Sequence, residues 1–332
     1  MNQPINRRQL LARGAAVSAG LAAAPWVQAQ AAWPSKPIRI IVPFNPGGAT
    51  DVSARLIADK LGPRLGQTII VENKGGAAGI LGTDTVAKAA PDGSTFTISL
   101  STSLLINQFL FAKLPYDPQK DLVMVSQIAV APVTLVVHPD VPARNAAELQ
   151  AWITKNKGKV SYGSWGIGSY AHLAGAYMSQ ALNADMSHVA YKGEAPMLQD
   201  LLGGQIQMAY ASASGTKPHI DAGKLKIIGV TGDQRMAVLP NVPTLVEQGL
   251  KDDAYRICGF VGMAAPAKTP MDIVQRMAKE VNAVVNTPEM REKFAAMGFN
   301  PVAGTPEAFM AAYRKDYPVW EQLVKASGAK LD

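Results

Sequence analysis

From Ile38 onward the chain alternates short β-branched apolar runs with segments whose apolar residues return every three or four positions. This is the pattern of strands interleaved with amphipathic helices. Ile38-Arg39-Ile40-Ile41-Val42 is nearly unbroken and suits a strand buried on both faces of a parallel sheet. It stops at Pro43-Phe44-Asn45-Pro46-Gly47-Gly48. Ala54, Ile57, Ala58, Leu61 and Leu65 then share one helical face, with Thr50 or Asp51 expected as the cap. A strand at 68–71, a glycine-rich turn at 75–79, a helix near 80–90, the turn Pro91-Asp92-Gly93 and a strand at 95–100 complete a βαβαβ run. Right-handed crossovers turn such a run into an open parallel sheet with helices on both faces, so the predicted class is α/β.

Around Ala131-Pro132 a second unit begins, again strand first, with 133–137 leading to a helix at 146–156. Further strands are predicted at 160–162, 188–191, 205–209 and 225–230, with helices near 170–182 and 195–202. After a strand-like stretch at 257–264 come helices over 270–285, 288–297 and 306–324, each with proline at its first position. A tail without more strands is expected to pack back on the first unit. The chain then divides into 32–132 with 257–332 and a second domain at 133–256, and crosses between them near 131–133 and 254–260. Two crossings make a hinge.

Length agrees with two units, since 332 residues exceed one ordinary core of roughly 100–150. With 48% hydrophobic and 17% charged residues the chain is globular rather than disordered, collagenous or coiled-coil. Its net charge of +7 is scattered singly or in short pairs, without the basic stripe of a nucleic-acid-binding protein. A single Cys258 excludes an intramolecular disulfide framework and multi-cysteine metal sites. The histidines at 138, 172, 188 and 219 never fall at i,i+4 spacing and no HExxH occurs, which argues against a zinc hydrolase.

Residues 1–31 read as an export signal, expected to be removed: Arg7-Arg8 opens a small-residue apolar run ending at Ala29-Gln30-Ala31. The adjacent arginines favour twin-arginine export, with the general secretory route as the alternative. A membrane anchor fits poorly, because Arg13 interrupts a run already shorter than the ~20 apolar residues that span a bilayer.

Among motifs, Gly75-Gly76-Ala77-Ala78-Gly79-Ile80-Leu81-Gly82 lies between strand and helix but misses the dinucleotide spacing read from Gly76. No phosphate-loop and no G-x-S-x-G pattern occurs. Ser214 and Lys217 have S-x-x-K spacing, yet Ser327 and Lys330 repeat it without the companion motifs. His138 reads as structural and Cys258 as a small buried hydrophobe. His172, in the first turn of a helix, fits a pocket role or a capping role equally. Two segments suggest a different chemistry: Asn45-Pro46-Gly47-Gly48-Ala49-Thr50 and Ser164-Trp165-Gly166-Ile167-Gly168-Ser169 each end a strand and open a helix. Helix N-termini offer unpaired N–H donors and a positive dipole end, so two of them across a cleft would clamp an anion. The alternative is two ordinary βα turns.

At these residues the chain resembles the Bug family, the substrate-binding proteins of tripartite tricarboxylate transporters. The matching blocks include Val42-Pro43-Phe44-Asn45-Pro46-Gly47-Gly48-Ala49-Thr50-Asp51, Val71-Glu72-Asn73-Lys74, Ala90-Pro91-Asp92-Gly93 and Leu114-Pro115-Tyr116-Asp117-Pro118. They continue through Gly166-x-Gly168-Ser169 with His172-Leu173, Tyr191-Lys192-Gly193, Asp200-Leu201-Leu202-Gly203-Gly204-Gln205 and Gly304-Thr305-Pro306-Glu307. The resemblance implies a periplasmic, two-domain type II Venus-flytrap protein, each domain a mainly parallel sheet flanked by helices. It implies no enzymatic activity, no metal or organic cofactor, and a small organic carboxylate handed to membrane transporter subunits or reported to signalling proteins. A monomer is expected. The ligand-binding residues it implies are Phe44, Pro46, Gly48, Ala49 and Thr50, with Gly166, Gly168, Ser169, Tyr170 and His172 opposite, and Ser101, Ser103 and Lys192 as further walls. Trp165 stands where the family has a small residue, and Lys268 where it often has glycine. The rival reading is an exported hydrolase using Ser214, Ser169 or His172.

Overall fold

The structure, a computed structural model, describes residues 33–331; the export segment at 1–31 lies outside the described residues. The strands are β1 (Ile38–Val42), β2 (Ile69–Asn73), β3 (Thr95–Leu100), β4 (Leu122–Ala131), β5 (Thr134–Val137), β6 (Ser161–Ser164), β7 (Ser187–Ala190), β8 (Met208–Ala211), β9 (Lys226–Val230), β10 (Gly259–Pro266) and β11 (Asn300–Pro301). Between them run α1 (Ala49–Leu65), α2 (Ile80–Ala87), α3 (Asn107–Leu110), α4 (Ala146–Lys155), α5 (Tyr170–Ala181), α6 (Glu194–Leu202), α7 (Ala213–Asp221) and α8 (Asp253–Arg256). The tail is α9 (Met271–Val285), α10 (Pro288–Ala296) and α11 (Pro306–Ser327).

Two sheets form. The first is six-stranded in the order β11-β4-β10-β3-β1-β2, the second five-stranded in the order β7-β6-β8-β5-β9. The βαβ segments pair in parallel as their crossovers require, β1 with β2 and β3, and β6 with β7 and β8. Both sheets are mixed rather than mainly parallel. β10 inserts antiparallel between β3 and β4, and β5 pairs antiparallel with β8 and β9. Hydrophobic runs alone carry no strand direction; these strands return from the other sheet and so run against their neighbours.

Side-chain caps mark five of the eleven helix starts among the described residues. Thr287 and Thr305 accept hydrogen bonds from Met290 N–H and Ala308 N–H, with Pro288 and Pro306 at the following position. Pro270 is itself the cap residue of α9, so that helix begins one residue later than expected. Gly48, rather than Thr50 or Asp51, is the cap of α1.

The core has two faces. On one, Ile273, Val274, Met277, Val281 and Val285 of α9 pack with Ile40, Phe96 and Ile128 of the first sheet. Each such side chain contributes roughly 1.5–3 kcal/mol by burial. The other face continues from Ile41 and Leu104 through Tyr162 and Tyr170 to Phe309, Tyr313 and Trp320. α11 packs on both β4 and α5, so the last helix touches both sheets' elements instead of the first alone. Trp320 is fully buried and meets Tyr170 edge-on, ring centres 5.8 Å apart.

Candidate functional site

The loop after β1 is shaped by Asp51, whose side chain is almost fully buried. Gly47, at φ +84°, donates its N–H to Asp51 Oδ2 at 2.9 Å, while Asn73 Nδ2 reaches Oδ1 at 2.9 Å. Arg55 grips both carboxylate oxygens, at 3.1 and 3.0 Å. Burial pushes this carboxyl up, but the bonds from Arg55, Gly47 and Asn73 outweigh it and hold the pKa below the ordinary range. With Gly47 tied down, the N–H groups of Gly48, Ala49 and Thr50 have no partner among the described residues. They form the open N-terminus of a 17-residue helix, where unpaired donors and the dipole favour an anion. Pro46, Gly48 and Ala49 are exposed there and Thr50 is buried.

The second loop is held differently. Ser169 caps α5 by accepting His172 N–H, and Gly168 donates its N–H to His172 Nδ1 at 3.1 Å. Gly168 N–H is therefore occupied, which corrects the expectation that it is a free donor to a ligand. Its φ of +76° and the approach of Leu110, whose Cδ1 would lie 2.5 Å from an added Cβ, leave room only for glycine. Leu110 ends α3, so that short helix packs directly against this loop. Gly166 and the Ser169 hydroxyl remain partly accessible.

Behind this loop stands a histidine pair that the sequence did not single out. His172 stacks on His188 with ring centres 3.9 Å apart and planes 10° from parallel, and Tyr162 also stacks on His188 at 5.1 Å. Ser164 Oγ donates to Gly166 O at 3.0 Å and lies 2.7 Å from His188 Nε2, which makes Nε2–H the donor in that contact. Burial, then the neighbouring His188, lowers the His172 pKa to about 4; burial also lowers that of His188. Both rings are neutral near pH 7. A neutral His172 leaves Nδ1 free to accept Gly168 N–H. The signal that would have found the pair is the β6–β7 register, which sets His188 opposite Tyr162.

Other expected wall residues do structural work. Ser103 is fully buried, its hydroxyl bonded to Thr83 Oγ1 at 2.9 Å and Ser99 Oγ at 2.6 Å. Ser101 Oγ accepts the N–H of Phe260 on β10. The Tyr170 hydroxyl donates to Ala254 O at 2.9 Å, and burial pushes its pKa well above the usual phenol value. Ser103 and Tyr170 therefore have their hydroxyls engaged within the protein, and Ser101 is buried with its oxygen accepting from β10. The Phe44 ring and Ser103 both crowd Gly79, at 3.2 and 3.1 Å from where a Cβ would stand. Lys192 is exposed on the turn after β7, next to the loop because Tyr191 N–H bonds Ser164 O. Trp165 is half-buried and packs against the apolar clusters on either side of the second sheet. Ser214 and Lys217 do not assemble: Lys217 Nζ pairs with Asp221 at 2.7 Å. Burial pushes the Cys258 thiol up to about 12, so it is not a nucleophile.

Two mixed α/β sheets, joined by two crossing segments and carrying a helix N-terminal loop on each side, define a two-domain solute-binding protein. Comparison with known proteins makes the class specific. The family model described as tripartite tricarboxylate transporter family receptor matches residues 53–329, and the chain belongs to that family. Protein BugT of Bordetella pertussis is 33% identical over 300 residues, 90% of this chain and 91% of that one. Among solved structures, the periplasmic binding protein BugD matches with a TM-score of 0.73 at 33% identity, covering 90% of this chain and 99% of the other. The R. palustris protein Rpa4515, solved with adipate, matches at 0.77 and 30% identity over 90% and 100% of the two chains. MatC from Rhodopseudomonas palustris, with bound malate, matches at 0.72 and 29% identity over 88% and 100%. The family is one of receptors, and the chain is a solute-binding receptor rather than an enzyme.

Proposed function

We propose that this receptor captures a small organic carboxylate between the α1 loop and the Trp165–Ser169 loop and delivers it to membrane transporter subunits. The observation that carries the reading is the open N-terminus of α1, where Gly48, Ala49 and Thr50 present unpartnered N–H groups over an Asp51 already neutralised by Arg55. Such donors hold a carboxylate by charge-assisted hydrogen bonds without burying a competing cation, which keeps release easy. The adipate and malate bound to two relatives support a dicarboxylate. The Ser169 hydroxyl supplies the opposing bond, with Phe44, Gly166 and Lys192 nearby. Capture as a monomer would close the domains 32–132 with 257–332 and 133–256 about the crossings near 131–133 and 254–260. A periplasmic site of action, reached by the Arg7-Arg8 signal, completes the reading. Calorimetric titration with malate, adipate and the monoamide of each tests it: the acids bind and the amides bind at least tenfold more weakly. Equal affinity for acid and amide overturns the clamp.

A further inference from the structure

The parallel strands β1, β2 and β3 end at one edge of the first sheet, and β6, β7 and β8 end at one edge of the second. Loops leaving the two edges are joined by α3. Asn107 Nδ2 donates to Ala78 O, in the glycine-rich turn after β2, at 3.0 Å. Leu110, about 4.5 Å further along the helix axis, packs against Gly168 in the loop after β6. The Phe44 ring of the α1 loop reaches the same glycine-rich turn at Gly79. The α1 loop, the glycine-rich turn and the Trp165–Ser169 loop thus form one connected group with α3. A Cβ added at Gly47, Gly166 or Gly193 would meet no atom within 4 Å, so open space adjoins the loops of both sheets.

These segments carry no side-chain charge. No Asp, Glu, Lys or Arg occurs at 44–50, 75–81, 101–107 or 164–169. Lys74 and Lys192 stand just outside them, both exposed to solvent. What the segments do expose is apolar. Six large apolar side chains are exposed among the described residues, and three of them lie here: Val52 in the first turn of α1, Leu81 in that of α2 and Ile167 in the loop after β6. Leu81 is 58% exposed and Ile167 47%. Single exposed apolar residues need no explanation, but a group of them beside unpartnered N–H donors is a surface built to be covered. Phe44, half-buried against Gly79, extends that surface to the α1 donors.

Resting on the carboxylate reading above, we propose that the captured acid has an apolar body and that Phe44, Leu81 and Ile167 select it. The carboxylate takes the N–H groups of α1, and the body covers the three side chains, removing them and itself from water. A hydroxyl on that body would face side chains with neither donor nor acceptor, and would lose its water without replacement. A polyhydroxylated acid is therefore disfavoured, whereas a run of methylenes such as that of adipate fits.

Adipate and galactarate test this, because both are six-carbon dicarboxylates and they differ only in the four hydroxyl groups on the body. Calorimetric titration of the full chain should give adipate binding at least tenfold tighter than galactarate. Leu81→Ser and Ile167→Ser should each weaken adipate several-fold and leave galactarate nearly unchanged. The thermal midpoint should stay level, since both positions are exposed. The ratio of the two affinities is a reading that a purely structural role would not move. Galactarate binding as tightly as adipate, or a ratio unchanged in both variants, overturns the apolar-body inference and leaves the carboxylate reading standing. Failure of both acids to bind overturns the two together.

Discussion

The imidazole of His172 lies flat against that of His188, centres 3.9 Å apart, and uses its Nδ1 to accept the N–H of Gly168 at 3.1 Å. The loop after β6 thus hangs on a ring that must stay neutral. Protonation would turn Nδ1 into a donor facing a donor and set two imidazoles in repulsive contact.

Stability should therefore fall in acid. The folded pKa of His172 is about 4, below the ordinary 6.5, so the unfolded chain binds this proton first. Stability from this residue is present above pH 6.5 and is lost as pH drops towards 4, by about 2–3 kcal/mol. Urea unfolding of wild type and His172→Phe at intervals between pH 7 and 4 checks this. The variant should lose much of the slope; an identical slope in both would assign the acid sensitivity elsewhere.

Ser169→Ala has two consequences. It removes the hydroxyl that caps α5, which should lower stability by about 1 kcal/mol. Under the proposed function it also removes the hydroxyl that would bond the carboxylate, which should weaken binding roughly 10- to 100-fold. Thermal melts and calorimetry on the same preparation separate the two effects, and stability loss without weaker binding would place the hydroxyl outside the ligand site.

Asp51→Ala should damage the α1 loop more than a surface acid would. Gly47 N–H, Asn73 and Arg55 all lose their acceptor, and the buried position admits little water. We expect about 1–3 kcal/mol of destabilisation and at least tenfold weaker carboxylate binding. Asp51→Asn, which keeps the shape and loses the charge, should lie between the variant and wild type in both measurements.

Gly168→Ala should destabilise by about 1–3 kcal/mol, through a positive φ and a Cβ set against Leu110. Shortening Leu110 relieves only the second part, so Gly168→Ala combined with Leu110→Ala should unfold less readily than the sum of the two single changes predicts. Strict additivity in urea melts would show that the Leu110 contact is not limiting.

Residues close in sequence made the first loop legible. The strand Ile38–Val42, the glycines at 47 and 48 and the helix face at 54–65 adjoin one another, so a strand-to-helix loop with open N–H groups could be read from spacing alone. The alternation of strands and helices was legible for the same reason, as was the order of motif blocks that marked the family. Burial was not. Ser101 and Ser103 lie where a pocket wall was expected, yet Ser103 closes a buried chain of hydroxyls with Thr83 and Ser99, an arrangement set by β3 and α2 coming together.

By itself, then, the sequence determined the α/β class, several helix starts and the donor-rich end of α1, because each depends on dihedral preferences, caps and periodicities acting within about 20 residues. Tertiary structure decided that β10 enters antiparallel between β3 and β4, that α11 lies on both β4 and α5, and that His188 meets His172. Those outcomes depend on which strands become neighbours. Hydrophobic runs of similar length can pair in many orders, and only the packing of side chains such as Trp320 against Tyr170 distinguishes the one the chain adopts.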